Sequence, residues 1–268
     1  MSKKGNSHPR AIGIIPARYN ATRFPGKLLA MLGGRTVIEH VYRRALQSVQ
    51  LDEVYVATDD DRIARAVKAF GGNVIRTSSN LATGTERIAE ACAEMEAGVV
   101  VNIQGDEPFL DGEMVDMVVE ELRNDPELVV VTLMKRIEDA YGFHDPNLVK
   151  VVVDRGGFAL YFSRSPIPHG DTALSVAYKH IGLYGYRRDF LSRFTALPVG
   201  PLESAERLEQ LRVLENGYRI KVLETDRDTI GIDTPEDLER AVIHLNRLNG
   251  SNGSSRSIRS NRSTAARL

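Results

Sequence analysis

Tryptophan is absent from this 268-residue sequence, and cysteine occurs once, as Cys92. A single thiol excludes an internal disulfide, so the core alone must hold the fold, and a reducing compartment is permitted. Cys92 follows Ile88 by four residues on a predicted helix and precedes Met95 by three, which marks a buried apolar neighbour rather than a nucleophile. Charge of one sign is missing too. Lys and Arg total 35 against 36 Asp and Glu, a formal net charge of -1, which offers no overall attraction for nucleic acid or a membrane surface. No apolar run approaches the length of a membrane span, so no membrane insertion is expected. Met1–Arg10 is polar and lacks the apolar stretch of a secretory signal. The expectation is a soluble, intracellular-type protein.

Motifs are lacking as well. Neither GxGxxG nor GxxxxGK[ST] occurs, which disfavours an ordinary dinucleotide site or P-loop. The six histidines include no pair at zinc-ligand spacing, so no zinc site is expected. His180 opens a predicted strand; His8, His40, His144, His169 and His244 read as ordinary polar positions.

What is present is a globular balance of 42% hydrophobic and 26% charged residues. The pattern predicts strands at Ala11–Pro16, Glu53–Thr58, Asn73–Thr77, Val99–Gln104 and Val129–Lys135. Between them it predicts helices over Thr36–Val49, Asp61–Phe70, Gly84–Glu96 and Asp111–Asn124. That alternation points to an α/β fold with a mostly parallel sheet covered on both faces. After Tyr141 the rhythm changes. Val149–Asp154 and Ala159–Ser163 read as a hairpin around Arg155-Gly156-Gly157, followed by a strand at Lys179–Tyr186. A helix over Ala205–Asn216, a strand at Arg219–Glu224 and a helix from Pro235 to about Leu248 complete the pattern. This second half is a smaller, β-rich insertion that completes the sheet and walls one side of a cleft. The expected organisation is a flexible N-terminus over 1–10, one domain over 11–249 and a disordered tail over 250–268. The tail is rich in Ser, Asn, Gly and Arg and has almost nothing apolar to bury. Its Arg256, Arg259, Arg262 and Arg267 suit a solvated tail better than an arm for an anionic partner.

Four constellations carry chemistry. The loop after the first strand, Pro16–Lys27, holds Arg18, Arg23 and Lys27 beyond the carboxyl end of a strand, where ligands bind in open parallel sheets. On residues alone it is either a polyphosphate grip or a surface loop with scattered basic residues. Thr83-Gly84-Thr85-Glu86-Arg87 has capping-box spacing, so a helix starts there and offers free N–H groups. Arg87 is a cation where the helix dipole prefers an acid, and that misfit points to an anion or base site. In Asn102–Pro108 a buried strand releases Asp106 and Glu107 into a turn, and Asp106 suits Mg²⁺, which takes one or two carboxylates plus phosphate and water. In Gly231–Asp237, Thr234 caps a helix that begins at Pro235, leaving Asp233 free for a metal.

Taken in order, IPARYNATRFPGK, VYVATDD, TGTER, NIQGDEP, ALYFSRSPIP, YKHIGLYGY, LEQLRVLENG and DTPEDLE resemble the 3-deoxy-manno-octulosonate (Kdo) cytidylyltransferases, or CMP-Kdo synthetases, over about Ala11–Leu248. The resemblance implies a Rossmann-like nucleotidyltransferase sheet of the glycosyltransferase A type and a cytoplasmic homodimer. It implies Mg²⁺-assisted transfer of CMP from CTP to an acidic eight-carbon sugar, for lipopolysaccharide or capsule synthesis. Arg18, Lys27 and Asp106 would be catalytic. Ala17, Arg18, Thr22, Lys27, Thr58, Thr83, Gly84, Thr85, Arg87 and Gln104 would hold the nucleotide. Arg164, His180, Tyr184, Glu209 and Gln210 would surround the sugar, with Arg164 and a positively polarised His180 facing its carboxylate. Asp106 and Asp233 would bind the metal. Two departures stand out: Ala21 replaces an expected serine, and Asn80-Leu81-Ala82-Thr83 replaces an expected Asp-His-Gln-Ser. Sialic acid or 8-amino-Kdo as sugar, UTP as nucleotide, and a non-catalytic nucleotide-binding protein are the rival expectations.

Overall fold

A computed structural model describes residues 8–170 and 173–260, with residues 249–260 as backbone only. The chain opens on β1 (Ala11–Ala17), whose residues are buried apart from the half-exposed Pro16. A short hairpin, β2 (Met31–Leu32) and β3 (Arg35–Thr36), leads into α1 (Val37–Ala45), where the Thr36 hydroxyl accepts from the Glu39 N–H. Next come β4 (Glu53–Thr58), α2 (Asp61–Ala69), β5 (Asn73–Arg76), α3 (Gly84–Cys92) and β6 (Val99–Asn102). Then α4 (Gly112–Asn124), β7 (Val130–Arg136), α5 (Ala140–His144) and the β8 (Lys150–Val153)–β9 (Ala159–Ser163) hairpin follow. The chain continues through β10 (Tyr178–Arg187), α6 (Arg188–Phe194), α7 (Pro201–Glu206), α8 (Leu211–Glu215), β11 (Lys221–Glu224) and α9 (Pro235–Ser260).

The main sheet has the order β11-β7-β10-β6-β1-β4-β5, with β8 beside β10 and β9 beside β8. Pairs β1–β4, β1–β6, β4–β5 and β7–β11 are parallel. The expected mostly parallel α/β sheet is therefore present, but β10 runs antiparallel between β6 and β7. Alternation along β1 sends Ala11, Ile15 and Ala17 to one core and Ile12 and Ile14 to the other, so both faces are covered. Gly185 lets α4 lie close on β10, since a Cβ there would fall 2.3 Å from Val118 Cγ1. In the β8–β9 turn, the Asp154 carboxylate accepts from Gly156 N–H at 2.8 Å and Phe158 N–H at 2.9 Å.

Three expectations need correction. The helix predicted over Ala205–Asn216 is two helices, because Arg207 ends α7 in the left-handed region at φ 55°. Pro9 and Arg10, expected in a flexible terminus, are tied into the sheet: the Arg10 carbonyl accepts from Gly98 N–H at 2.8 Å, and the Pro9 carbonyl accepts from Arg123. The last helix does not stop near Leu248. Its backbone continues through 250–260, part of the expected tail, because extending a formed helix costs far less than starting one and no proline intervenes. The remainder of that tail, 261–268, lies outside the described residues, as do residues 1–7 and 171–172.

Candidate active site at the carboxyl edge of the sheet

From β1 the chain crosses to β4 on one side, and later returns to β6 on the other. The carboxyl edge between β1 and β6 is thus a topological switch point, where open α/β sheets bind ligands. A cavity of about 250 Å³ opens there, lined by Arg18, Lys27, Thr83, Gly84, Gln104 and Asp106 among others. The loop that forms it is closed by Gly26 N–H donating to the Tyr19 carbonyl at 2.8 Å. Gly26 is required twice: its φ is +75°, and a Cβ would lie 3.1 Å from the Tyr19 ring. Over that ring sits the Arg62 guanidinium, 3.2 Å from the centroid. Asp60 accepts from Arg62 at 2.6 and 3.1 Å, and this bond pulls its carboxyl down to about 2.

Lys27 Nζ stands between two carboxylates, 2.5 Å from Asp106 Oδ2 and 2.8 Å from Asp233 Oδ1. Burial by itself would lower this ammonium, but Asp106 and then Asp233 outweigh it and hold Lys27 above its ordinary range. Arg23 also donates to Asp233, at 2.7 Å. Asp233 is spared from capping because Asp237 takes that task, accepting from the N–H groups of Asp233 and Thr234. The Ile232 N–H donates to the Asp106 carbonyl at 2.9 Å and stitches the two carboxylate segments together. Arg18 donates to the carbonyls of Ala82 at 2.8 Å and Leu81 at 2.6 Å. The substituted Leu81-Ala82 stretch therefore reaches Arg18 through its backbone.

Two carboxylates converging on one ammonium form a position that already accommodates a cation. Asp106 and Asp233 fit a hard divalent ion that completes its shell with phosphate oxygens and water. Among the described residues no group of three or more His, Cys, Asp or Glu side chains gathers for an all-protein site.

A second cavity of about 230 Å³ adjoins the first and shares Gly84 and Gln104 with it. Because β10 is reversed and Tyr184 pairs opposite Asn102, the first half of β10 extends past the end of β6, at the ligand edge. Tyr184, Tyr186, Asn102, Thr85, Glu209 and Gln210 complete its lining. Tyr184 is 8% exposed, and its hydroxyl is buried without a hydrogen-bond partner. Burial pushes the phenols of Tyr184 and Tyr186 well above their usual range, so both act as neutral hydroxyls. The lining has one carboxylate and no cation.

The predicted residues divide. Arg18, Lys27, Thr83, Gly84, Gln104 and Asp106 line the first cavity, and Tyr184, Glu209 and Gln210 line the second. Asp233 joins the first through Lys27. The others sit elsewhere. Ala17 is buried in the core, Thr22 is exposed, and Thr58 is buried with its hydroxyl accepting from Asp60 N–H at 3.2 Å. Arg87 is 1% exposed and turns inward to Asp59, 3.0 Å away, and to the Thr77 hydroxyl. The cation that looked misplaced for a helix start is thus satisfied inside the fold. Arg164 lines neither cavity: its Nε donates to the Glu206 carbonyl at 3.0 Å, and its terminal nitrogen donates to the Pro146 carbonyl at 3.1 Å. His180 does not carry the expected positive charge. Loss of solvation on burial lowers it to about 3, and its Nε2 lies 3.0 Å from the Thr132 hydroxyl while the ring packs against Phe162 and Tyr184.

Sequence reasoning missed Tyr186 and Asn102. Period-two alternation from Tyr184 along β10 was the available signal for Tyr186. It also missed the state of Glu107, whose carboxyl is pushed up to about 8 by burial and then by neighbouring Asp106.

Comparison with known proteins gives a consistent picture. The family described as "Cytidylyltransferase" matches residues 12–221. A 3-deoxy-manno-octulosonate cytidylyltransferase of Syntrophotalea carbinolica is 52% identical over 245 residues, covering 88% of this chain and 98% of the relative. That of Solibacter usitatus is 52% identical over 236 residues, covering 87% and 94%. Among solved structures, a CMP:2-keto-3-deoxy-manno-octonic acid synthetase complexed with CTP superposes with a TM-score of 0.85 at 44% identity, covering 89% of this chain and 99% of that one. A 4-diphosphocytidyl-2C-methyl-D-erythritol synthase from Anaerococcus prevotii shares the fold at TM-score 0.60 and 18% identity, with 88% and 98% covered. With half its residues identical over nearly the full length of such relatives, the chain belongs to the cytidylyltransferases, and among them to the 3-deoxy-manno-octulosonate cytidylyltransferase family.

Proposed function

We propose that this protein transfers CMP from CTP to 3-deoxy-manno-octulosonate and releases pyrophosphate. The observation that carries the reading is the pair of adjoining cavities. One is charged and suits a triphosphate; the other is neutral and rich in hydroxyls and amides, as a polyol sugar requires. The sugar's anomeric hydroxyl attacks the α-phosphorus, the bond to the β-phosphate oxygen breaks, and the hydroxyl proton leaves to water.

Displacement at phosphorus needs positioning and charge neutralisation more than covalent help. Lys27 and Arg18 neutralise charge on the leaving pyrophosphate. Gln104, common to both cavities, aligns nucleotide and sugar. Tyr184 supplies a buried hydroxyl that lacks a partner until a ligand arrives. Asp106 and Asp233 hold Mg²⁺, which supplies further neutralisation of phosphate charge when bound. Lys27 then gives up its carboxylates for phosphate oxygens.

The same reading makes the enzyme a cytoplasmic homodimer that serves lipopolysaccharide or capsule assembly. It is supported by the family resemblance, and no described helix is long and apolar enough to cross a membrane. Light scattering on the purified protein tests the dimer. One observation favours a second sugar: a cavity with a carboxylate and no cation accepts an ammonium as readily as a hydroxyl, so 8-amino-Kdo fits it too. Pyrophosphate release with CTP and Mg²⁺, in parallel reactions with Kdo, 8-amino-Kdo and sialic acid, tests the whole reading. Release with Kdo that needs every component supports it; CTP binding without release for Kdo would overturn it.

A further inference from the structure

The Thr83–Arg87 turn starts α3 at the boundary between the two cavities, and its two threonines part company there. Thr83 lines the first cavity, Thr85 lines the second, and Gly84 between them lines both. Successive helical residues are turned about 100° apart, so adjacent positions face different spaces. Thr85 is only 3% exposed, and its hydroxyl donates to Glu209 Oε2 at 2.5 Å, across 124 positions of sequence.

Glu209 sits on the turn between α7 and α8. That turn is framed by left-handed Arg207 and by a buried ion pair in which Arg212 donates to Glu203 at 2.7 and 2.6 Å. The frame fixes the backbone under Glu209 but not its carboxylate. The Thr85 hydroxyl fixes the carboxylate, engaging Oε2 and leaving Oε1 as an acceptor in a cavity whose other polar groups are two phenols and three amides.

We infer that Thr85 is a positioning residue of the sugar subsite, orienting Glu209 to accept from a hydroxyl of the acceptor sugar, and that it is not a nucleotide contact. The inference rests on the cytidylyl-transfer reading for what fills the second cavity. It reverses the assignment that resemblance gives this threonine. It also makes Thr85–Glu209 a link between the helix start that borders the triphosphate and the turn that grips the acceptor.

The test compares Thr85→Val, Thr85→Ser and Glu209→Gln with the wild type. The readouts are the KM for Kdo at saturating CTP, the KM for CTP at saturating Kdo, and CTP affinity by calorimetry. A hydrogen bond to a charged group sets the scale at about tenfold to a hundredfold. Thr85→Val should raise the KM for Kdo by that factor while CTP affinity stays within twofold. Thr85→Ser should restore the wild-type value, and Thr85→Val in a Glu209→Gln background should add little. If the valine variant does not fold, Thr85→Ala gives the same comparison. Weakened CTP binding, or an unchanged KM for Kdo, would overturn the inference. Wild-type protein that binds CTP but never turns over Kdo would instead overturn the cytidylyl-transfer reading, so the two failures are distinguishable.

Discussion

The two adjoining cavities share Gly84 and Gln104 yet are built on opposite plans. The first is assembled from charges on loops: Lys27 lies between Asp106 and Asp233, with Arg18 and Arg23 nearby. The second is assembled from neutral groups on regular structure, with two phenols on β10 and amides at the end of β6 and the start of α8. Loops can exchange an internal ion pair for a ligand with little rearrangement, which suits a polyanion and a cation that come and go together. A rigid strand with buried, uncharged hydroxyls discriminates by unmet hydrogen bonds, which suits a polyol.

The largest effects should come from the charged cavity. Asp106→Ala and Lys27→Met should each lower kcat by at least about a hundredfold, the usual cost of one preorganised contact to developing charge. Thermal melting should show both variants folded. Activity near wild type in either would remove the charged cavity from the chemistry.

Next comes the neutral cavity. Tyr184→Phe should raise the KM for Kdo by about fivefold to tenfold and leave the KM for CTP unchanged. The same variant should melt at or above the wild-type temperature, because a buried hydroxyl without a partner costs about 1–3 kcal/mol in the free protein. A lower melting temperature with unchanged KM values would mean that Tyr184 is a packing residue.

Acid provides a gentler test. His180 is lowered to about 3 by burial against an ordinary value of 6.5, so the unfolded chain binds the proton first. Its contribution to stability is complete above pH 6.5 and is lost as the pH falls towards 3, at up to about 1.4 kcal/mol per pH unit. His180→Gln should flatten the melting profile across that window. The KM for Kdo should show no histidine titration between pH 6 and 8, and a step there would restore the positive His180 that the sequence suggested.

The smallest effect is expected at Arg62, which is outside the cavity and acts through Tyr19. Arg62→Gln should raise the KM for CTP by about twofold to fivefold and leave the KM for Kdo alone. An equal rise in both would mean that the loop serves the two cavities together.

The charged cavity was the more legible in sequence, for a physical reason. Loop charges beyond strand ends have few structural uses, so Lys27, Asp106 and Asp233 stood out and the fold brings them to one point. Strand Glu53–Thr58 was likewise readable, since a short apolar run between turn residues has few alternatives. Arg87 shows the limit of that reasoning. A cation at a helix start looked like a ligand group, but tertiary structure buries it against Asp59. Tyr184, Glu209 and Gln210 came from resemblance alone, because neutral polar residues on strands and turns look the same whether they line a cavity or a core. Nothing local announces that β10 reverses between β6 and β7, or that Arg207 breaks a helix to present Glu209. Both depend on contacts distant in sequence.

The division of labour is tested most directly by the two Michaelis constants of Glu209→Gln, which removes the one charge of the neutral cavity and keeps its shape. The account predicts at least about a tenfold rise in the KM for Kdo, with the KM for CTP within twofold of wild type. Parallel rises in both constants, or a rise confined to CTP, would contradict it.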